Sequence, residues 1–232
     1  MTLFEKVLLN DTEGPRTVLD GEIPLSNYIP IDLSILNKKL ELLDVSNPAV
    51  CQDYIDEVVN YDSYTIAYGG YLERRNLYKK SPGFVGKGEA ERNIHLGIDF
   101  WAKDGTKVIV PLGGVVHSFK NNTASGDYGP TIILRHELKG VQFYTLYGHL
   151  SIASLNGLHK NKEFKTGDVL ATLGEVEINV NYAPHLHFQI IKDLGGFSGD
   201  YPGVCTQKDL TGYQINCPDP NLLLKITPPT IG

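Results

Sequence analysis

Five residues in this chain have types and spacings that could do chemistry together: His95, Asp99, His149, His185 and His187. In RNIHLGIDFWA, His95 and Asp99 are four residues apart, and an extended strand points residues at even separation to one face. Gly97 lies between them on that face, so no side chain blocks an imidazole and a carboxylate from meeting at one ion. The alternative, a helical turn, is disfavoured by that glycine and by the β-branched Ile98. On the strand reading Leu96, Ile98 and Phe100 face a core. APHLHFQII repeats the logic, with His185 and His187 on one face and Leu186 and Phe188 on the other. FYTLYGHLS ends on His149, with Gly148 leaving room beside it. Imidazole nitrogens and carboxylate oxygens are the donors that bind zinc and neighbouring divalent ions, and imidazoles also move protons near neutral pH. His117, His136 and His159 stand outside these motifs and read as structural or solvent-facing residues.

The surrounding pattern must supply the strands. From about residue 94 to 191, short apolar or alternating runs are separated by Gly, Asn and Asp, as in antiparallel sheets. The runs cover 107–111, 115–119, 131–136, 141–150, 169–173 and 185–191. A polar loop is expected at 121–130 and a short helical turn at 151–158. Ahead of this region, Ser46-Asn47-Pro48 offers a cap and a proline for a helix, with Val50, Tyr54, Ile55, Val58 and Val59 on one face. A strand-like stretch over 64–78 follows, and then a flexible entry around Ser81-Pro82-Gly83, Gly86 and Gly88. After Lys192 a Gly- and Pro-rich tail is expected to wrap the sheet. The expected architecture is mostly β, an antiparallel sheet or sandwich with a small α/β N-terminal extension. Its parts are an extension over 1–85, a β-domain over 86–192 and a packed tail over 193–232.

Composition narrows the function. Hydrophobic residues form 41% and charged residues 21% of the 232, the balance of a globular protein. A formal net charge of -6, with no basic run, speaks against nucleic acid as a partner. No apolar stretch is long enough to span a bilayer. The opening residues MTLFEKVLLNDTEGPR lack the basic-then-apolar order of a signal peptide, which predicts a cytoplasmic protein, or a periplasmic or secreted one exported by another route. Three cysteines, Cys51, Cys205 and Cys217, are expected as free thiols and not as a disulfide framework.

HLGID, YGHLS and HLHF, in that order and on expected strands, resemble the lysostaphin-type (LytM-like) zinc endopeptidases, many of which cut peptidoglycan peptides. The resemblance covers about residues 92–192 and includes GTKVIVPLGGVV, YGPTIILRH and FKTGDVLATLG. It implies the barrel-sandwich hybrid (duplicated hybrid motif) fold and one zinc ion per chain. By position it assigns the metal ligands to His95, Asp99 and His187, and the catalytic places to His149 and His185. Three protein ligands would leave a fourth position open for water, as catalysis requires. The implied partner is a peptide or peptidoglycan fragment. The alternative is an inactive peptide- or wall-binding module that keeps the fold. Biotinyl or lipoyl carriers share the paired hybrid halves but need a modified lysine in a hairpin, which is missing, and a sugar phosphotransferase component would not need Asp99. The extension could act as a lid over the groove, and Tyr128, Tyr147 and Tyr182 are candidate groove residues.

Overall fold

A computed structural model describes residues 1–10, 12, 14–60, 62, 64–76, 91–124, 126–178 and 182–227. In chain order its strands are β1 (Tyr28–Pro30), β2 (Ile66–Gly69), β3 (Ile94–His95), β4 (Ile98–Trp101), β5 (Lys107–Ile109), β6 (Gly114–Asn122), β7 (Gly129–Leu138), β8 (Val141–Gly148), β9 (Glu163–Phe164), β10 (Val169–Thr172), β11 (His185–Ile191) and β12 (Val204–Cys205). The helices are α1 (Leu3–Asn10), α2 (Pro48–Val58), α3 (Leu210–Asn216) and α4 (Asn221–Leu224). Eight strands form one sheet in the order β1-β2-β4-β11-β8-β7-β6-β9, and β5–β10 and β3–β12 form two small pairs. Every neighbouring pair is antiparallel except β1–β2. The mostly β, antiparallel architecture read from the sequence is borne out.

Alternation along β11 organises both faces of this sheet. All seven of its residues are buried. Leu186, Phe188 and Ile190 point into a core shared with Ile98 and Phe100 of β4, Ile132 and Leu134 of β7, and Val108 and Leu170 of the β5–β10 pair. The sheet is thus covered on this side by a second, smaller layer. Phe4 and Leu8 of α1, with Leu223 and Leu224 of α4, close the same core, and Phe4 sits edge-on to Phe143 at 5.3 Å between ring centroids. Burying each such side chain contributes roughly 1.5–3 kcal/mol.

Two further clusters lie on the other face. Ala67, Trp101 and Val204 pack against Cys51, Tyr54 and Ile55 of α2. Ile133, Leu146 and Ile191 pack against Ile94, Leu96, Cys205 and Cys217. His185, His187 and Gln189 face this side, between a cluster built largely by the extension and one closed by the tail.

Helix α2 begins as expected, with Asn47 accepting a hydrogen bond from Ala49 N–H at 3.0 Å and Pro48 in the first turn. Helix α1 was not foreseen. Its apolar signal is only Phe4 and Leu8, one turn apart, and so short a helix depends on tertiary packing. The stretch expected as a strand over 64–78 is a strand only at Ile66–Gly69, because Gly70 turns the chain at φ +106°. Residues 77–78 of that stretch, and the linker residues Ser81, Pro82, Gly83, Gly86 and Gly88, lie outside the described residues. Among the described residues, all three cysteines are buried and free, and no helix is long and apolar enough to cross a membrane.

His136 is structural, as its isolation from the motifs suggested. Its Nδ1–H donates to Gly113 O at 2.9 Å and Nε2 lies 2.7 Å from Thr145 Oγ1. Burial pulls its pKa down from 6.5 to about 4, against the opposing bond to Gly113. The unfolded chain therefore takes up a proton that the folded chain refuses. The resulting stability is complete above about pH 6.5 and declines by on the order of 3 kcal/mol as pH falls toward about 4. His136→Gln removes this titration. Urea unfolding at about pH 7 and about pH 4.5 should show a smaller loss in the variant than in the parent, and equal losses would contradict it.

Candidate metal centre and its cleft

Sheet register brings the motif residues together. His187 of β11 sits opposite Asp99 of β4 on one side and Gly148 of β8 on the other, and Gly69 of β2 lies beyond Asp99. His95 arrives differently from the single strand expected. β3 pairs with β12, and the chain turns through Leu96 and Gly97 before joining the main sheet as β4. Leu96 consequently packs with Ile94 and Cys205, and not with Ile98 and Phe100. Gly97 makes the turn possible by leaving room for His187. A Cβ there would stand 2.6 Å from Phe188 O and 2.8 Å from His187 Cε1. The result is a tight group: His95 Nε2 is 2.8 Å from His187 Nδ1, and Asp99 Oδ1 is 3.2 Å and 3.1 Å from those two nitrogens.

Hydrogen bonds fix where the protons are. Gly70 O can only accept, so His95 carries its proton on Nδ1, 2.9 Å away. Gln189 donates from Nε2 to Pro202 O at 3.2 Å and to Cys217 Sγ at 3.2 Å, which turns its carbonyl oxygen toward His187. That oxygen accepts from His187 Nε2–H at 2.9 Å. Assigned from this network, His95 Nε2 and His187 Nδ1 both present bare lone pairs, facing each other and a carboxylate oxygen. Three acceptors with no proton among them make a site that could hold a cation. Their separations are close to the roughly 3.3 Å edge of a tetrahedron with bonds of about 2.0 Å, and the two-imidazole, one-carboxylate set suits a divalent transition ion. The residues present therefore fit a metal, and all three are buried.

Electrostatics keep the set ready. Burial, reinforced by the Arg75 charge, lowers His95 to about 4, so it is neutral. Burial opposes ionisation of Asp99, but the Arg75 guanidinium beside it holds the carboxyl well below the usual carboxylate range. His185 and His149 complete the group, with ring centroids 4.1 Å apart. His185 Nδ1–H donates to Ala183 O at 2.6 Å, which leaves Nε2 bare and 4.0 Å from Asp99 Oδ1. Burial lowers the pKa of both, and in His149 the neighbouring His185 and His187 lower it further. His149 follows the last residue of β8 in a left-handed conformation at φ +61°, held by its N–H bond to Tyr128 O at 2.9 Å. Its Nδ1 is buried with no hydrogen-bond partner among the described residues.

These five residues line a cleft of about 430 Å³. Cys51 and Arg75 wall it from the extension, and Tyr201, Pro202, Gly203 and Val204 from the tail. Tyr128 and Tyr182 are in the lining, whereas Tyr147 is in the opposite core. Gly148, expected to give space to His149, instead admits Tyr128. A Cβ on Gly148 would lie 2.7 Å from the Tyr128 ring, whose centroid is 5.0 Å from that of His187. Gly70, Arg75 and Gln189 were missed by the sequence reading. For Gln189 a signal existed, since it continues the His185, His187 face by one more alternation. Arg75, within ERRN, looks like a surface charge.

Residues 93–198 match the model of Peptidase family M23. The lysostaphin-type resemblance is thereby borne out for this segment, which contains all five motif residues. An uncharacterized metalloprotease of Haemophilus influenzae is 34% identical over 95 residues, covering 41% of this chain and 18% of the relative. The DD-carboxypeptidase/endopeptidase Mpg of Neisseria meningitidis serogroup B is 34% identical over 96 residues, 41% of this chain and 20% of the relative. The chain thus spans about a fifth of the length of the curated relatives it matches. Among solved structures, the catalytic domain of lysostaphin from Staphylococcus simulans is 22% identical, with 63% of this chain and 88% of that one covered and a TM-score of 0.39. LytU is 24% identical, covering 68% and 90%, with a TM-score of 0.40.

Gly97→Ala tests the packing of the M23 segment. The added methyl must push either Phe188 or the His187 ring, at a cost of about 1–3 kcal/mol. Expected outcomes are a lower urea midpoint and weaker metal binding. Parent-like values of both would show that the ring does not need this space.

Proposed function

We propose that the chain is a zinc-dependent endopeptidase acting on peptides, with those of peptidoglycan as the substrate class. The observation that carries this is the convergence of two unprotonated imidazole nitrogens and one carboxylate oxygen, in a cleft that holds two further neutral histidines. The match of residues 93–198 to Peptidase family M23 and the similarity to a metalloprotease and a DD-carboxypeptidase/endopeptidase support it.

His95 Nε2, Asp99 Oδ1 and His187 Nδ1 would hold the ion. Zinc at such a site supplies Lewis acidity toward a scissile carbonyl and a water whose pKa falls toward about 7. The proton leaving in the reaction goes to His185 at Nε2, which its bond to Ala183 keeps bare and turned toward the ligands. His149, neutral and next to His185, donates toward the developing oxyanion. Tyr128 and Tyr182 flank His149, at 5.7 and 5.5 Å between ring centroids, and pack edge-on against its ring.

Metal analysis of the purified chain should give about one zinc per chain, with cleavage of glycyl peptides or peptidoglycan fragments abolished by a chelator. His187→Ala should lose the metal. His149→Ala should keep it, with turnover reduced by about 10²–10⁴-fold. Zinc absent from the parent would sink the proposal, and zinc present without cleavage of any tested peptide would favour a binding module.

A further inference from the structure

Each ligand of the metal centre has an outer partner, and two of the three partners lie outside the M23 segment. Gln189 bonds His187 from within it, whereas Gly70 O bonds His95 and Arg75 bonds Asp99 from the N-terminal extension. We propose that Arg75 is a positioning residue of the metal centre, so that the extension completes a site the M23 segment alone leaves unfinished. This inference rests on the metal-dependent reading above.

Geometry carries the argument. Arg75 Nη1 donates to Asp99 Oδ2 at 2.5 Å, while Oδ1 faces His95 and His187. One carboxylate oxygen is thus committed and the other offered, which holds the ligand single-toothed. The guanidinium is itself immobilised. Its Nε donates to Glu73 Oε2 at 2.5 Å, and Glu73 Oε1 accepts from Leu33 N–H at 2.9 Å. Arg75 N–H donates to Asn93 O at 2.9 Å, and the guanidinium carbon lies 5.7 Å from the Trp101 ring centroid. A Cβ on Gly70 would stand 1.8 Å from Arg75 Nη2, so the turn is shaped around this side chain. A cation beside a metal site would repel the metal unless its charge were taken up, and Glu73 and Asp99 take it up. Only a planar fork reaches both carboxylates, since lysine presents a single point of charge.

Arg75→Met and Arg75→Lys in the full chain test this. Zinc affinity is read by competition with a chromophoric chelator, ligand geometry by the visible absorption of the cobalt-loaded protein, and folding by thermal unfolding of the metal-free protein. Both variants should bind zinc about 10–100-fold more weakly than the parent, the usual effect of losing an outer partner, with an altered cobalt spectrum. If Arg75→Met does not fold, Arg75→Lys decides alone, because it keeps the buried charge. Parent-like affinity and spectrum in the folded variants, even with lowered thermal stability, would overturn the inference and leave the metal reading intact. A parent that binds no metal overturns both.

Discussion

Two imidazole lone pairs and a carboxylate oxygen within about 3 Å of one another repel unless a cation lies among them, and burial of all three residues leaves little solvent to screen them. The local architecture follows from holding that arrangement. Each of the three candidate ligands is held by a partner that fixes its proton or its rotation. A backbone carbonyl holds His95, an amide whose own orientation is set by Pro202 holds His187, and a guanidinium holds Asp99. Partners of this kind raise affinity by removing the freedom that the ligands would otherwise lose on binding.

Rigidity comes from β11. Its apolar face is sunk into the main core, so His185, His187 and Gln189 on the other face inherit a fixed spacing from the pleat. Glycines then decide what can approach. Gly97 admits the His187 ring, Gly148 and Gly203 admit Tyr128, and Gly70 admits Arg75. At each of these positions the missing side chain is replaced by a specific functional group, which is why the site is dense without being strained at its ligands. His149 is different, since its left-handed backbone is held by a bond to Tyr128 O and directs the ring beside His185.

Much of the M23 segment was legible in the sequence because its signals are local. Alternation in HLHFQII marks the two faces directly, and the runs at 107–111, 131–136 and 185–191 each overlap a strand of the structure. The break between His95 and Asp99 was not legible. A glycine flanked by apolar residues suits an unbroken strand as well as a turn, and only pairing of β3 with β12, more than 100 residues later, distinguishes them. Arg75 was hidden for the same reason. Its neighbours in sequence are polar and charged, as on a solvated surface, and its burial depends on Glu73, Asp99 and Trp101 meeting from separate elements. Residue type reports chemistry, but the outer partners of a site are chosen by tertiary contact.

The extension's place in the sheet bears on how the cleft is used. β2 pairs with β4, placing Gly69 opposite Asp99, and Ala67 packs in the cluster that buries Trp101. Lifting residues 66–75 away would unpair the edge of β4, expose Trp101, and leave the Asp99 carboxylate buried without the guanidinium that keeps it ionised. Removing one partner of a buried ion pair costs about 3–5 kcal/mol, so this turn is held in place. Helix α2 is coupled to the sheet differently, through apolar packing of Cys51, Tyr54 and Ile55, and Cys51 reaches the cleft wall. The turn that carries Gly70 and Arg75 is therefore fixed to Asp99 and His95 by hydrogen bonds, whereas α2 reaches the cleft by packing.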